Sequence, residues 1–123
     1  MPDPLSISAA LLSFARPLLR AVGQPEREEE LDAVLRVAVT IWNAVVLEQS
    51  GQAGRYLDQA RRQIEEWSLP AAAQLFEALV EHKHQAFEDD LRLILDYRVM
   101  RDDGGRLGVE VTAGPASDLP GPA

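Results

Sequence analysis

Residues 37–47 read VAVTIWNAVVL, and nine of these eleven side chains are apolar. A segment that is apolar on every side has no face to offer water, so other elements must enclose it. Its β-branched content suits a strand. The stripe Leu31, Val34, Leu35, Ala38, Ile41, Trp42, Val45 instead keeps steps of three and four, which is helical spacing. The run from Pro25 to Ser50-Gly51 is also far longer than a strand. The chain is therefore expected to wrap itself around a central helix. Pro25 opens that helix and Glu26, Glu28, Glu29 and Glu30 occupy its first turns, where the positive end of the helix dipole favours acids.

The wrapping helices follow from the same spacing. Asp3-Pro4 reads as an N-cap and first helical proline, and Leu11, Phe14, Ala15, Leu18 and Val22 form one face ending at Gly23. Pro17 lies inside this pattern and is expected to kink or split the helix near Ala15–Arg16. A third helix runs from about Ala53 to Trp67, with Tyr56, Leu57, Ala60, Ile64 and Trp67 on its apolar side. Ser68-Leu69-Pro70 stops it and starts a fourth, carrying Ala72, Leu75, Phe76, Leu79 and Val80. The pattern weakens at Lys83 and resumes at Phe87, Leu91, Ile94 and Leu95. Residues 70–96 are thus one long helix or two short ones, with Asp89 or Asp90 capping the second.

The period then changes from helical to two. Tyr97, Val99 and Arg101 alternate with Arg98 and Met100, and Leu107, Val109 and Val111 alternate with Gly108 and Glu110, around Asp102-Asp103-Gly104-Gly105. Alternating runs about a glycine-containing turn signal a hairpin. The expected fold is mostly α: a bundle of four to five helices with a C-terminal β-hairpin over about residues 95–112. Residues 1–112 form one domain, and the Pro- and Gly-rich residues 113–123 form a disordered tail.

Composition narrows the function. The chain of 123 residues has no cysteine, which removes disulfides, thiolate nucleophiles and Cys-ligated metals. Its formal charge of −8 disfavours nucleic acid, where cationic side chains supply most of the affinity. The N-terminal segment lacks a basic region and Arg16 interrupts its apolar run, so neither a signal peptide nor a membrane span is expected. Eleven of the twelve basic residues are arginine, and Ala, Leu and Pro abound, as in proteins of GC-rich bacteria. The reading is a bacterial, cytoplasmic, acidic protein.

The one constellation with metal-ligand spacing is Glu81-x-x-His84, the spacing used by carboxylate-bridged di-iron and di-manganese bundles. On a continuous helix Glu81, His84 and Glu88 share a face, with Glu77 one turn earlier. They are the candidate ligands for a divalent transition metal. A symmetric dimer would supply the second such motif, with Glu48 as an extra ligand. The competing reading is a solvated helix face with no cofactor. His82 lies about 200° around the helix from His84 and cannot share its ion. Adjacent Glu88, Asp89 and Asp90 read as a cap and first turn rather than an acid–base cluster. Phosphate-binding loops, nucleophile elbows and His-Glu-x-x-His do not occur, so the chain leans away from catalysis.

Asn43 within the apolar helix needs a partner if buried, or fixes register at an interface as a lone Asn does in coiled coils. The central helix and the hairpin edge both favour self-association. Trp42, Asn43, Tyr97, Val99 and Val109 are the expected interface residues of a two-fold homodimer. Helical spacing alone also explains Trp42 as core. The functional expectation is a small non-enzymatic interaction or adaptor module with an unknown protein partner. The alternatives are a metal-binding helical protein and a small-molecule-binding regulator.

Overall fold

The computed structural model describes residues 6–23, 26–49, 56–67 and 70–114. The expected Asp3-Pro4 cap, the opening at Pro25, the stops at Ser50-Gly51 and Ser68-Leu69, and positions 115–123 of the expected tail lie outside the described residues. Among the described residues the order is α1 (Ile7–Val22), α2 (Glu28–Gln49), α3 (Tyr56–Glu66), α4 (Pro70–Ala86), β1 (Leu93–Arg101) and β2 (Leu107–Gly114). The strands form a two-stranded antiparallel sheet. The fold is the expected one, mostly α with a C-terminal hairpin.

α2 is the centre. It packs against α1, α3, α4 and β1, and Val37, Ala38, Ile41, Trp42, Ala44, Val45 and Val46 are all buried. Four side chains of VAVTIWNAVVL are only partly buried: Val39, Thr40, Asn43 and Leu47. Thr40 turns its hydroxyl back to the Arg36 carbonyl at 2.7 Å, and Asn43 bonds to β1. Glu28, Glu29 and Glu30 form the first turn of α2, as dipole complementarity predicts.

α1 begins where Ser6 Oγ accepts the Ala9 N–H at 3.2 Å, an N-cap, and ends at Gly23, whose φ of 86° suits glycine. The expected split at Pro17 does not occur: α1 is continuous through it. Phe14, Ala15 and Leu18 on either side are buried in the shared core, and this packing favours one continuous helix although Pro17 cannot donate to the Ser13 carbonyl.

The C-terminal third corrects two boundaries. No fifth helix forms among the described residues; α4 stops at Ala86 and a turn leads into β1. The hairpin is longer than 95–112, so Ala113 and Gly114 belong to β2 and not to a tail. Leu91, Ile94 and Leu95 suggested a helix because a bulge imitates helical spacing. Ile94 pairs with Ala113 and Asp96 with Thr112, leaving Leu95 as the extra residue. The bulge buries Leu93 and Ile94 together while Leu95 stays 42% exposed. Beyond it strict alternation returns, with Tyr97 opposite Val111 and Val99 opposite Val109. All four lie against the helical core, which gives the hairpin the support that two strands alone lack. At its tip, Asp102 Oδ1 accepts N–H groups of Gly104 and Arg106, each at 2.9 Å, and Gly105 has φ 80°.

Replacing Pro17 with alanine restores a donor to the Ser13 carbonyl in a helix that is already continuous. The expected outcome is a gain of about 1–2 kcal/mol in unfolding free energy, read by urea denaturation.

Candidate functional site

Two places concentrate polar chemistry: the junction between α4 and β1, and a cleft at the opposite end of the hairpin. The junction takes its form from four side chains. Lys83 continues the buried stripe Ala72, Phe76, Leu79 on α4, and it is 0% exposed. Its Nζ donates to the carbonyls of Phe87 at 2.7 Å and Asp90 at 2.8 Å, and reaches Gln49 Oε1 at 3.5 Å. The ammonium also sits 4.4 Å from the centre of the Trp42 ring, a cation–π contact. Trp42 Nε1 donates to the Arg92 carbonyl at 2.8 Å. Asn43 closes a two-way bond with Ile94, donating to its carbonyl at 2.9 Å and accepting its N–H at 2.8 Å. Gln49 Nε2 lies 3.4 Å from the Glu88 carbonyl.

These contacts settle where the expected interface residues lie. Trp42 is fully buried and Asn43 is bonded to β1, so both are used within the chain. Tyr97, Val99 and Val109 are half-buried on the inner face of the hairpin, where their apolar surface meets the helices. Among the described residues no buried side-chain nitrogen or oxygen lacks a hydrogen-bond partner.

Charge is balanced at the junction. Burial pushes the Lys83 ammonium down to about 8, and the negative charge of Asp90 offsets part of that. Burial would raise the Asp90 carboxyl, but hydrogen bonds and charge from Arg92, with Lys83 beyond, hold it below the usual carboxylate range. Arg92 grips both Asp90 oxygens, at 2.9 and 2.6 Å.

The expected metal ligands are not brought together. Glu81 and His84 are exposed on α4, and Glu81 accepts from Gln85 at 3.0 Å. Glu88 lies past the end of α4, so the helical step that would align it with His84 is not taken. No group of three His, Asp or Glu side chains among the described residues is placed to hold a metal ion. His82 instead stacks on Phe14 at 5.9 Å and meets Phe87 edge-on at 5.6 Å.

The cleft has a volume of about 840 Å³. One wall is the α1 stripe next to the buried one: Leu12, Arg16, Leu19 and Arg20. The other is the hairpin tip with Arg101, Arg106 and Leu107, and Glu26 and Leu31 complete the lining. Arg101 fastens the tip to the start of α2, donating to the carbonyls of Gly105 at 2.8 Å and Glu26 at 2.7 Å and lying 3.6 Å from Glu28. Arg16, Arg20 and Arg106 have no ion-pair partner among the described residues. Four arginines thus meet one glutamate in the lining of a cleft in a chain of net charge −8. A second concavity, lined by Leu18, Val22, Ala33, Val34, Val37 and Ala72, is apolar and holds only about 200 Å³.

The sequence drew attention to the junction stretch only through Glu88 and its neighbouring acids, and the cleft did not stand out. Lys83 read as an interruption, although its spacing from Phe76 and Leu79 places it on the buried stripe. Arg16 and Arg20 share a stripe with Leu12 and Leu19, but only the fold sets Arg106 opposite them. No helix among the described residues is long and apolar enough to cross a membrane. No protein-family model, no curated protein and no solved structure matches the chain.

Two outcomes follow for the junction. Asn43→Leu strands the N–H and carbonyl of Ile94 and should cost about 2–4 kcal/mol of stability, measured by chemical denaturation. Lys83→Met strands the Asp90 carbonyl and leaves the Phe87 carbonyl only the Asp90 N–H at 3.1 Å, and should cost about 1–3 kcal/mol at pH 7. A lysine whose folded-state pKa lies below its unfolded value binds fewer protons when folded between about pH 8 and 10.5, so its contribution to stability rises with pH across that window. The advantage of the wild type over Lys83→Met should therefore grow by about 1–3 kcal/mol from pH 7 to pH 10, read from paired urea titrations.

Proposed function

We propose that this chain is a non-enzymatic interaction module of the bacterial cytoplasm, which associates with itself and carries a protein partner. The observation that supports this reading is the cleft between α1 and the hairpin tip. Three arginines without ion-pair partners among the described residues stand over a leucine-bearing wall. Mixed cationic and apolar surface of this kind suits another protein, because apolar side chains supply contact area while rim charges set orientation and encounter rate. Arginine is also enriched at protein interfaces, where its planar fork binds carboxylates at two points.

Against a small-molecule regulator, the apolar concavity holds only about 200 Å³, below the roughly 300–1,000 Å³ of most ligand pockets. The larger cleft carries four arginines in its lining, where such pockets usually have few polar groups, and this favours the interaction module.

Site-specific photo-crosslinking in cells tests the proposal. A benzoyl-phenylalanine introduced at Leu19 in the cleft, at Leu95 by the junction, or at Gln63 on α3 captures whatever protein touches that position. The expected result is a covalent protein adduct from Leu19. Adducts from none of the three positions would overturn the interaction reading, whereas adducts confined to Gln63 would keep it and move the contact to α3.

A further inference from the structure

The exposed large apolar side chains among the described residues are Val22, Leu91 and Leu95, at 50%, 45% and 42%. Their places are not scattered. Val22 ends α1 beside Gly23, which lines the arginine cleft. Leu91 and Leu95 lie at the junction, where Glu88, Asp89 and Asp96 are also exposed and make no ion pair with any described residue. One surface therefore combines cations outside any ion pair with leucine, and the other combines carboxylates outside any ion pair with leucine.

β1 separates the two. It starts beside the junction at Leu93 and ends at Arg101 in the cleft, a span of nine residues and about 30 Å. On the reading of the chain as an interaction module, the geometry points to a second copy as the occupant of the cleft: Arg16, Arg20 and Arg106 of one copy receive Glu88, Asp89 and Asp96 of the other, and Leu12 and Leu19 receive Leu91 and Leu95. Because the complementary surfaces lie at opposite ends of the hairpin, two copies arranged antiparallel about a two-fold axis make this contact twice and close the assembly.

Charge favours this occupant over other anions. A nucleic acid or an anionic membrane satisfies the arginines but meets the repulsion of a chain at −8 over its whole extended surface. Two copies also repel at long range, but that repulsion is screened beyond about 8 Å at physiological salt. The local pairs act at contact distance. The leucines add apolar burial that a polyphosphate does not match.

Sedimentation of the full chain with two charge-swapped variants tests the contact. One variant carries Arg16→Glu, Arg20→Glu and Arg106→Glu; the other carries Glu88→Arg, Asp89→Arg and Asp96→Arg. All six side chains are exposed, and circular dichroism confirms that each variant folds. At micromolar concentration and physiological salt, the wild type is expected at twice 13.5 kDa. Each variant alone should pair at least about tenfold more weakly, and an equal mixture of the two should pair again, since both contacts are then complementary with reversed sign. A monomeric wild type overturns the inference, as does a folded mixture that fails to pair or a variant that pairs unchanged. A monomeric wild type that binds single-stranded DNA or anionic vesicles through the same arginines assigns the cleft to that anion instead. If self-pairing fails while Leu19 still yields adducts to another protein, the module reading stands and only this contact falls.

Discussion

The amide of Asn43 occupies the place of a neighbouring strand. It offers one donor and one acceptor to the N–H and carbonyl of Ile94, the same pair that a backbone amide would offer. A two-stranded hairpin is marginal in water, and a bulge at Leu95 weakens its entry further. By tying that entry to the most enclosed helix of the fold, Asn43 makes α2 and the hairpin one unit. Trp42, next along α2, takes the carbonyl of Arg92. Adjacent residues of a helix point in different directions, so this pair clamps the strand from two angles.

Lys83 serves the other end of the same turn. A helix end leaves carbonyls without partners, and the turn from Phe87 to Asp90 points two more toward the buried Lys83 ammonium. One ammonium satisfies two of them, and the face of Trp42 covers its remaining surface. Burying the charge costs stability, which the lowered pKa reports; leaving buried carbonyls unpaired would also cost. The compact, tetrahedral ammonium reaches carbonyls in different directions, which the flat guanidinium of arginine does not match. That difference gives a physical role to the single lysine in a chain where every other basic residue is arginine.

The surface divides its charges in a similar way. Arg27, Arg36, Arg61 and Arg98 face acids on the same chain, the third of them Glu77. Exposed pairs like these add little stability, but among the described residues they leave Arg62 as the arginine outside the cleft with no ion pair. The cations of the cleft and the acids of the junction that lie outside any ion pair therefore stand apart, at opposite ends of one strand.

The helices were legible because each buries a stripe, and burial selects steps of three and four whatever the neighbours are. The central helix, the Gly23 stop, the turn at Asp102–Gly105 and the alternation of the hairpin follow from local periodicity and backbone preference. The ladder of Glu81, His84 and Glu88 required α4 to continue to Glu88; the local pattern allowed a break after Lys83 but did not place it at Ala86. The stop depends on Lys83, Asn43 and Trp42 meeting main-chain groups; Asn43 meets Ile94 from 51 residues away. The sequence by itself determined which segments are helical and which alternate, since those are properties of neighbouring residues. Only the tertiary structure decided the helix end, the strand start and the arginine cleft, since each depends on groups far apart in the chain that hydrogen bonding and packing bring together.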